Sequence, residues 1–299
     1  MGFDHSMYLF CLTENAFVQT MRHWIRKCEP ARFSYWKCRQ LCGLAPKSDH
    51  ELLYRFDRHT ERSGWDAPGI FCFPWGAFEY SAAGKVRIQY EEIFQKRHYA
   101  FKADGANPVI VDCGGNVGLS AVWFKLNYPS CRLSVFEPDR NLACMIDKNL
   151  QAAGFTGTKC IPKAVWVKDG AIGFDLRGDD SGKIDANATR MVETVDLAAW
   201  LPAVTDLLKI DIEGAEFDVL EHLCTTGAIQ RVRNLVCELH VMRGTESKMA
   251  ALMQQLIAAG MRLSLNYGAV TSGIGVAGEE APFEVIARNH LLIELYAWR

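Results

Sequence analysis

The stretch Val109-Ile110-Val111-Asp112-Cys113-Gly114-Gly115-Asn116-Val117-Gly118 constrains the fold of this 299-residue chain more than any other. A short apolar run, the pattern of a strand buried on both faces, ends in a cluster of glycines, and Leu119–Leu126 then has the pattern of a helix. Glycine lets the backbone turn sharply and approach a ligand closely, so strand, turn and helix in this order open an α/β unit with a binding corner. A dinucleotide-binding turn, G-x-G-x-x-G, seats a pyrophosphate on the helix N-terminus. Counted from Gly114, its third and sixth positions are Asn116 and Leu119, so that form fails. Asp112, just before the glycines, would repel a pyrophosphate and favours a cationic ligand without phosphate.

The pattern repeats downstream. Leu133–Phe136, Leu207–Ile210 and Leu235–Cys237 read as further buried strands. Between them lie helices carrying Leu142, Met145, Ile146 and Leu150 up to Gly154, and Phe217, Leu220, Leu223 and Cys224 up to Gly227. Another helix has Met249, Leu252, Met253, Leu256 and Ile257 and closes at Gly260. Apolar runs alternating with amphipathic helices predict an α/β fold, a mostly parallel sheet with helices on both faces. Upstream, Ser63–Gly69 is a turn-rich break, and Ala77–Tyr80 with Val86–Tyr90 reads as a β-hairpin turning at Ala83-Gly84-Lys85.

The first ~75 residues have a different texture. Residues 16–45 hold Arg22, Arg26, Lys27, Arg32, Lys37 and Arg39 against a single acid, Glu29, with Phe17, Trp24, Phe33, Tyr35 and Trp36 interleaved. Phe17, Met21, Trp24 and Ile25 fall at helical spacing before Pro30, so a helical cap packed on the main domain is expected there rather than a membrane anchor. A net charge of −2 gives no overall attraction to nucleic acid. The eleven cysteines are scattered and several sit in apolar runs, which fits a reducing, cytoplasmic setting and no disulfide framework. Cys38 and Cys42, with His23 and Cys28, form only a loose cluster and are not taken as a metal site. No run reaches the ~18 apolar residues needed to span a bilayer.

The acidic ends of the strands point to one crevice, because open parallel sheets bind ligands beyond the carboxyl ends of their strands. The second strand ends in Phe136-Glu137-Pro138-Asp139, where an acid some 20–25 residues past the glycine turn can accept from both hydroxyls of a ribose. Asp139 is the better candidate for the helix cap. Lys209-Ile210-Asp211-Ile212-Glu213-Gly214-Ala215-Glu216 delivers two more carboxylates, Asp211 and Glu213. Glu238-Leu239-His240 follows, with Glu238 and His240 on one side of their strand.

Together these segments resemble the FkbM family of methyltransferases. The likeness extends to Ala164-Val165 and Thr194-Val195-Asp196 and covers roughly residues 75–299. Gly115 stands where that family usually has alanine. The resemblance implies a class I methyltransferase (Rossmann-like) fold, a seven-stranded mostly parallel sheet whose last, antiparallel strand is Leu291–Ala297. It divides the chain into a helical N-terminal segment, 1–75, and a methyltransferase domain, 76–299. The cofactor implied is S-adenosyl-L-methionine, whose ammonium and sulfonium also suit Asp112. Asp112, Gly114, Gly115, Asn116 and Gly118 would hold its methionine end, Glu137 its ribose, and the backbone near Ala164 its adenine.

The activity implied is O-methylation of a small-molecule or saccharide acceptor. Methyl transfer from an activated donor needs a positioned acceptor and a base for its proton. His240 is the first candidate for that base, with an unperturbed pKa near ~6.5, and Asp211 and Glu213 are the alternatives. Asp211, Glu238 and His240 would also suit a divalent cation, although a metal-free polar cluster is the preferred expectation. A non-catalytic binding module and an NAD-dependent oxidoreductase are the competing functions, and a homodimer stays open.

Overall fold

The computed structural model describes residues 49–175, 183–184, 188–242, 246–267 and 290–299. The expected helix within residues 16–30 and the Cys38–Cys42 cluster lie outside these residues. The main sheet contains β3 (Val109–Cys113), β4 (Arg132–Phe136), β5 (Cys160–Ile161), β10 (Thr205–Ile210), β11 (Val232–Met242), β12 (Arg262–Tyr267) and β13 (His290–Trp298). Their order across the sheet is β12-β13-β11-β10-β3-β4-β5. The five strands from β11 to β5 are parallel, and β13 runs antiparallel to both its neighbours. This is the class I methyltransferase sheet, and the strand expected over Leu291–Ala297 is its antiparallel member.

Alternation along the strands splits the interior into two layers. Ile110, Val135, Leu207 and Val236 face one layer with helices α3 (Leu119–Asn127) and α4 (Arg140–Ala152). Val111, Phe136, Leu208, Ile210 and Cys237 face the other. There they meet α5 (Leu197–Trp200), α6 (Glu216–Thr225) and α7 (Glu246–Ala258). A second, four-stranded sheet of order β6-β9-β7-β8 follows β5 in the chain. It consists of β6 (Ala164–Trp166), β7 (Gly170–Asp175), β8 (Lys183–Ile184) and β9 (Met191–Asp196), and it brings Ala164 to the edge of the cleft described below.

Upstream of the main sheet the structure departs from the expected hairpin. The partner of β2 (Gly76–Tyr80) is β1 (Gly69–Phe73), not Val86–Tyr90. Residues Ala83–Tyr90 form helix α2, continued by one π-helical turn, Glu91–Gln95. Burial shows why. Ala83, Val86, Tyr90 and Ile93 are buried and recur at helical spacing, whereas Ile88, which a strand would place beside Val86, is 49% exposed. Helix α1 (Asp49–Ser63) packs Leu52, Leu53 and Phe56 into the same layer as the hairpin and α3. The boundary drawn at residue 75 therefore falls in the turn between β1 and β2. No helix among the described residues is long and apolar enough to cross a membrane.

Candidate active site

A cleft of about 420 Å³ opens at the carboxyl ends of β3, β4 and β10. Of the expected site residues, Gly114, Asn116, Glu137, Ala164, Asp211 and Glu213 line it. The volume lies in the ordinary range for small-ligand sites.

The glycine turn is held by the ends of its two neighbouring strands. Gly114 and Gly115 donate their N–H groups to Phe136 O at 3.0 and 2.9 Å, and Asp211 N–H donates to Cys113 O at 3.1 Å. Gly114 has φ +87°, and a Cβ there would lie 1.8 Å from Asp211 O, so only glycine lets β3 and β10 end this close together. Gly115 does not line the cleft: a Cβ there would meet Val135 and Ile146 in the core. Gly118, at the start of α3, likewise packs against Ile146.

Asp112 also turns away from the cleft. Its side chain is fully buried, accepts from Ser120 Oγ at 2.7 Å and pairs with Lys209 Nζ at 3.3 Å. Burial raises its pKa, and the Lys209 charge and Ser120 hydroxyl work against that rise. The direct attraction between Asp112 and a cationic ligand expected from the sequence is thus replaced by an internal ion pair. The negative charge that does face the cleft comes from Glu137, Asp139, Asp211 and Glu213.

Glu137 is 7% exposed and fixed at both oxygens: Oε2 accepts from Asn116 N–H and Oε1 from Asp139 N–H, each at 2.9 Å. Burial pushes its pKa up to about 7. Asp139 caps α4, accepting from Asn141 and Leu142 N–H, so the cap role does not fall to Glu137. Asn116 has φ 50°, and its buried Oδ1 has no hydrogen-bond donor among the described residues. Phe136, Leu142, Met145, Val165 and Phe174 give the cleft an apolar lining.

At the β10 end stand the remaining carboxylates. Asp211 Oδ2 is 3.6 Å from Lys209 Nζ. Glu213 takes the left-handed conformation, φ 55°. Its Oε2 lies 3.4 Å from His240 Nε2, and Glu238 Oε1 lies 3.6 Å from the same nitrogen, so alternation along β11 does place Glu238 and His240 together. Burial, then the Asp211 charge, pushes Glu213 up to about 7 and Glu238 up to about 8. His240 Nδ1 lies 3.0 Å from Glu216 Oε1. Burial alone would lower the His240 pKa, but the Glu216 hydrogen bond and charge, with Asp211 and Glu213, raise it to about 10. Glu216 stands at Nδ1, and Glu213 and Glu238 stand at Nε2, so both ring nitrogens face carboxylates to which a protonated imidazole donates.

Two contributors carried no role in the sequence reading, although both stand in the Lys209–Glu216 stretch. Lys209 is a buried cation that also donates to Gly114 O at 2.6 Å and Cys113 O at 3.3 Å. Glu216, fully buried, replaces Glu238 in the one grouping of potential metal-ligand atoms found among the described residues, Asp211, Glu216 and His240. Glu216 and His240 there already bond each other.

The sheet order and the cleft at its carboxyl edge are those of a class I methyltransferase. A sequence model of the methyltransferase FkbM domain matches residues 112–263, about half of the chain, and the chain belongs to that family of methyltransferases. It is similar to methyltransferase sdnD of Sordaria araneosa, 27% identical over 219 residues, 58% of this chain and 83% of that protein. It is also similar to methyltransferase 1 of Beauveria bassiana (strain ARSEF 2860), 24% identical over 172 residues, 47% of this chain and 69% of that one. A solved methyltransferase FkbM from Methylobacillus flagellatus KT superposes with a TM-score of 0.44 at 13% identity. That match covers 66% of this chain and 45% of the solved chain, so less than half of that structure is spanned.

Proposed function

We propose that this methyltransferase moves a methyl group from S-adenosyl-L-methionine to a hydroxyl oxygen of a small molecule, a sugar or polysaccharide precursor or a natural product. The cleft fits that donor: its carboxylates, Glu137, Asp139, Asp211 and Glu213, outnumber its basic residues, Lys163 and Arg190, which suits a cationic ligand, and the orphaned Asn116 Oδ1 is an acceptor awaiting a donor group. Glu137 would hold the ribose hydroxyls, Asn116 and Gly114 the methionine end, and the apolar wall beside Ala164 the adenine. When bound, S-adenosylmethionine supplies a methyl group already activated by its sulfonium.

One observation carries the oxygen-directed reading: Glu213 lines the cleft with its pKa near neutrality and a cationic imidazole at its carboxylate. A base works best when its pKa lies near the operating pH. Glu213 therefore takes the acceptor's hydroxyl proton as the bond to carbon forms, and the His240 cation steadies the Glu213 carboxylate before it does so. Asp211, on the same wall, orients the acceptor and is the next candidate. Catalysis here is mainly positioning, which can supply ~7–11 kcal/mol of barrier reduction.

Two measurements test this. Calorimetry should show S-adenosylhomocysteine binding, and a panel of sugars, polyols and phenols incubated with S-adenosylmethionine should yield a product heavier by one methyl group. Binding of NAD with none of S-adenosylhomocysteine would point to an oxidoreductase. Donor binding without transfer to any acceptor, or to water, would point to a binding module.

A further inference from the structure

We propose that Glu216 is the positioning residue of the acceptor side, setting both the His240 ring and the turn that carries Glu213; this rests on the methyl-transfer reading above. Its side chain is fully buried and folds back from the first position of α6. Oε1 accepts from Ile212 N–H and Gly214 N–H, both at 3.0 Å, and Oε2 accepts from Gly214 N–H at 3.0 Å. Those amides lie on either side of Glu213, which is left-handed at φ 55° and followed by Gly214 at φ 103°. A non-glycine residue rarely holds that conformation unless its surroundings fix it. One buried carboxylate thus ties down both flanks of the residue assigned as base.

The same carboxylate orients the imidazole. With Nδ1 bonded to Glu216, Nε2 turns toward Glu213 and Glu238. Bonding one ring nitrogen fixes the direction of the other. Glutamate is suited to this because an ionised carboxylate only accepts, and all its neighbours donate. Glutamine keeps one oxygen able to accept from the partners of Oε1, whereas alanine removes every one of these acceptors.

The test uses ¹⁵N-labelled full-length chain and S-adenosylhomocysteine as the binding probe. Wild type should show a hydrogen-bonded imidazole proton, slow to exchange with water, on Nδ1 of His240; two-bond correlations identify the nitrogen, and loss of the signal in His240→Gln assigns it. Glu216→Ala should lose that proton and slow methyl transfer about ten- to hundredfold, with S-adenosylhomocysteine affinity held within about twofold. The proposal falls if no such proton is found on Nδ1 in wild type, or if it persists in Glu216→Ala. It also falls if that variant is fully active, if donor affinity drops in parallel, or if Mn²⁺ selectively broadens His240, which would make the cluster a metal site. Should Glu216→Ala fail to fold, the wild-type spectra still decide the orientation. Failure of the probe to bind wild type would sink the methyl-transfer reading while leaving the spectra to judge Glu216.

Discussion

Lys209 Nζ lies 3.3 Å from Asp112 Oδ1, and both side chains are sealed from water. The acid at the end of β3 thus meets a cation from the neighbouring strand instead of a ligand. The same ammonium donates to the carbonyl of Gly114, so the glycine turn is shaped from below by a charge.

Removing that charge should be severe. Lys209→Met leaves the Asp112 carboxylate buried without its counter-ion, and breaking such a pair from one side typically costs ~3–5 kcal/mol. Lys209→Met combined with Asp112→Asn should recover much of the loss. Urea denaturation of the two variants checks this; equal stability of the single and double variants would show that the pair is not coupled.

Glu213→Gln should keep the fold and lower kcat by ~10²–10⁴, with kcat and kcat/KM falling together. In wild type the rate should rise with pH through about 7, because protonated Glu213 cannot accept a proton and the ionised form can. That limb should vanish from the residual activity of the variant. A wild-type profile flat from pH 5 to 9, roughly the span over which such a base ionises, would remove Glu213 as the base.

Glu137 supports two expectations. Glu137→Ala should weaken S-adenosylhomocysteine binding by about tenfold to a hundredfold, the loss of a charged hydrogen bond worth ~1.5–3 kcal/mol. Its folded pKa, about 7, lies above the ordinary carboxylate value. It therefore favours folding fully at pH below the unfolded value, and this contribution fades as pH climbs through 7. Melting temperature measured against pH should decline less steeply from acid to neutral in the variant than in wild type.

Gly114→Ala should be far worse than Gly154→Ala. Both glycines have positive φ, which costs another residue ~1–2 kcal/mol, but a Cβ at Gly154 meets nothing within 4 Å. At Gly114 it meets the Asp211 carbonyl, adding roughly 1–3 kcal/mol of overpacking. Chemical denaturation of the two alanine variants decides the order.

The parallel sheet was legible because its strands are wholly apolar and its helices carry one-sided stripes, as with Ile146 and Leu150 in α4. Glu137 was legible because an acid closing the second strand has one open direction, the crevice. Val86–Tyr90 misled because Val86, Ile88 and Tyr90 satisfy a two-residue period, and only the exposure of Ile88 reveals the helical one. Asp112 was read as facing the ligand and His240 as an unperturbed base. Their partners, Lys209 and Glu216, come from other elements, and one-dimensional spacing does not say which charges end up facing each other indoors.

Helix α1 and the β1–β2 hairpin share one buried layer with β3 and α3, and that union sets where the polypeptide can be cut. Phe56 packs on Phe73 and Tyr80, and Arg87 of α2 reaches back to Asp57 at 2.7 Å. A chimera that took its catalytic portion from residue 76 onward would strip β2 of its partner strand and uncover Phe78 and Tyr80, both fully buried. Any portable version of this enzyme has to keep Leu52, Phe56 and the β1 strand.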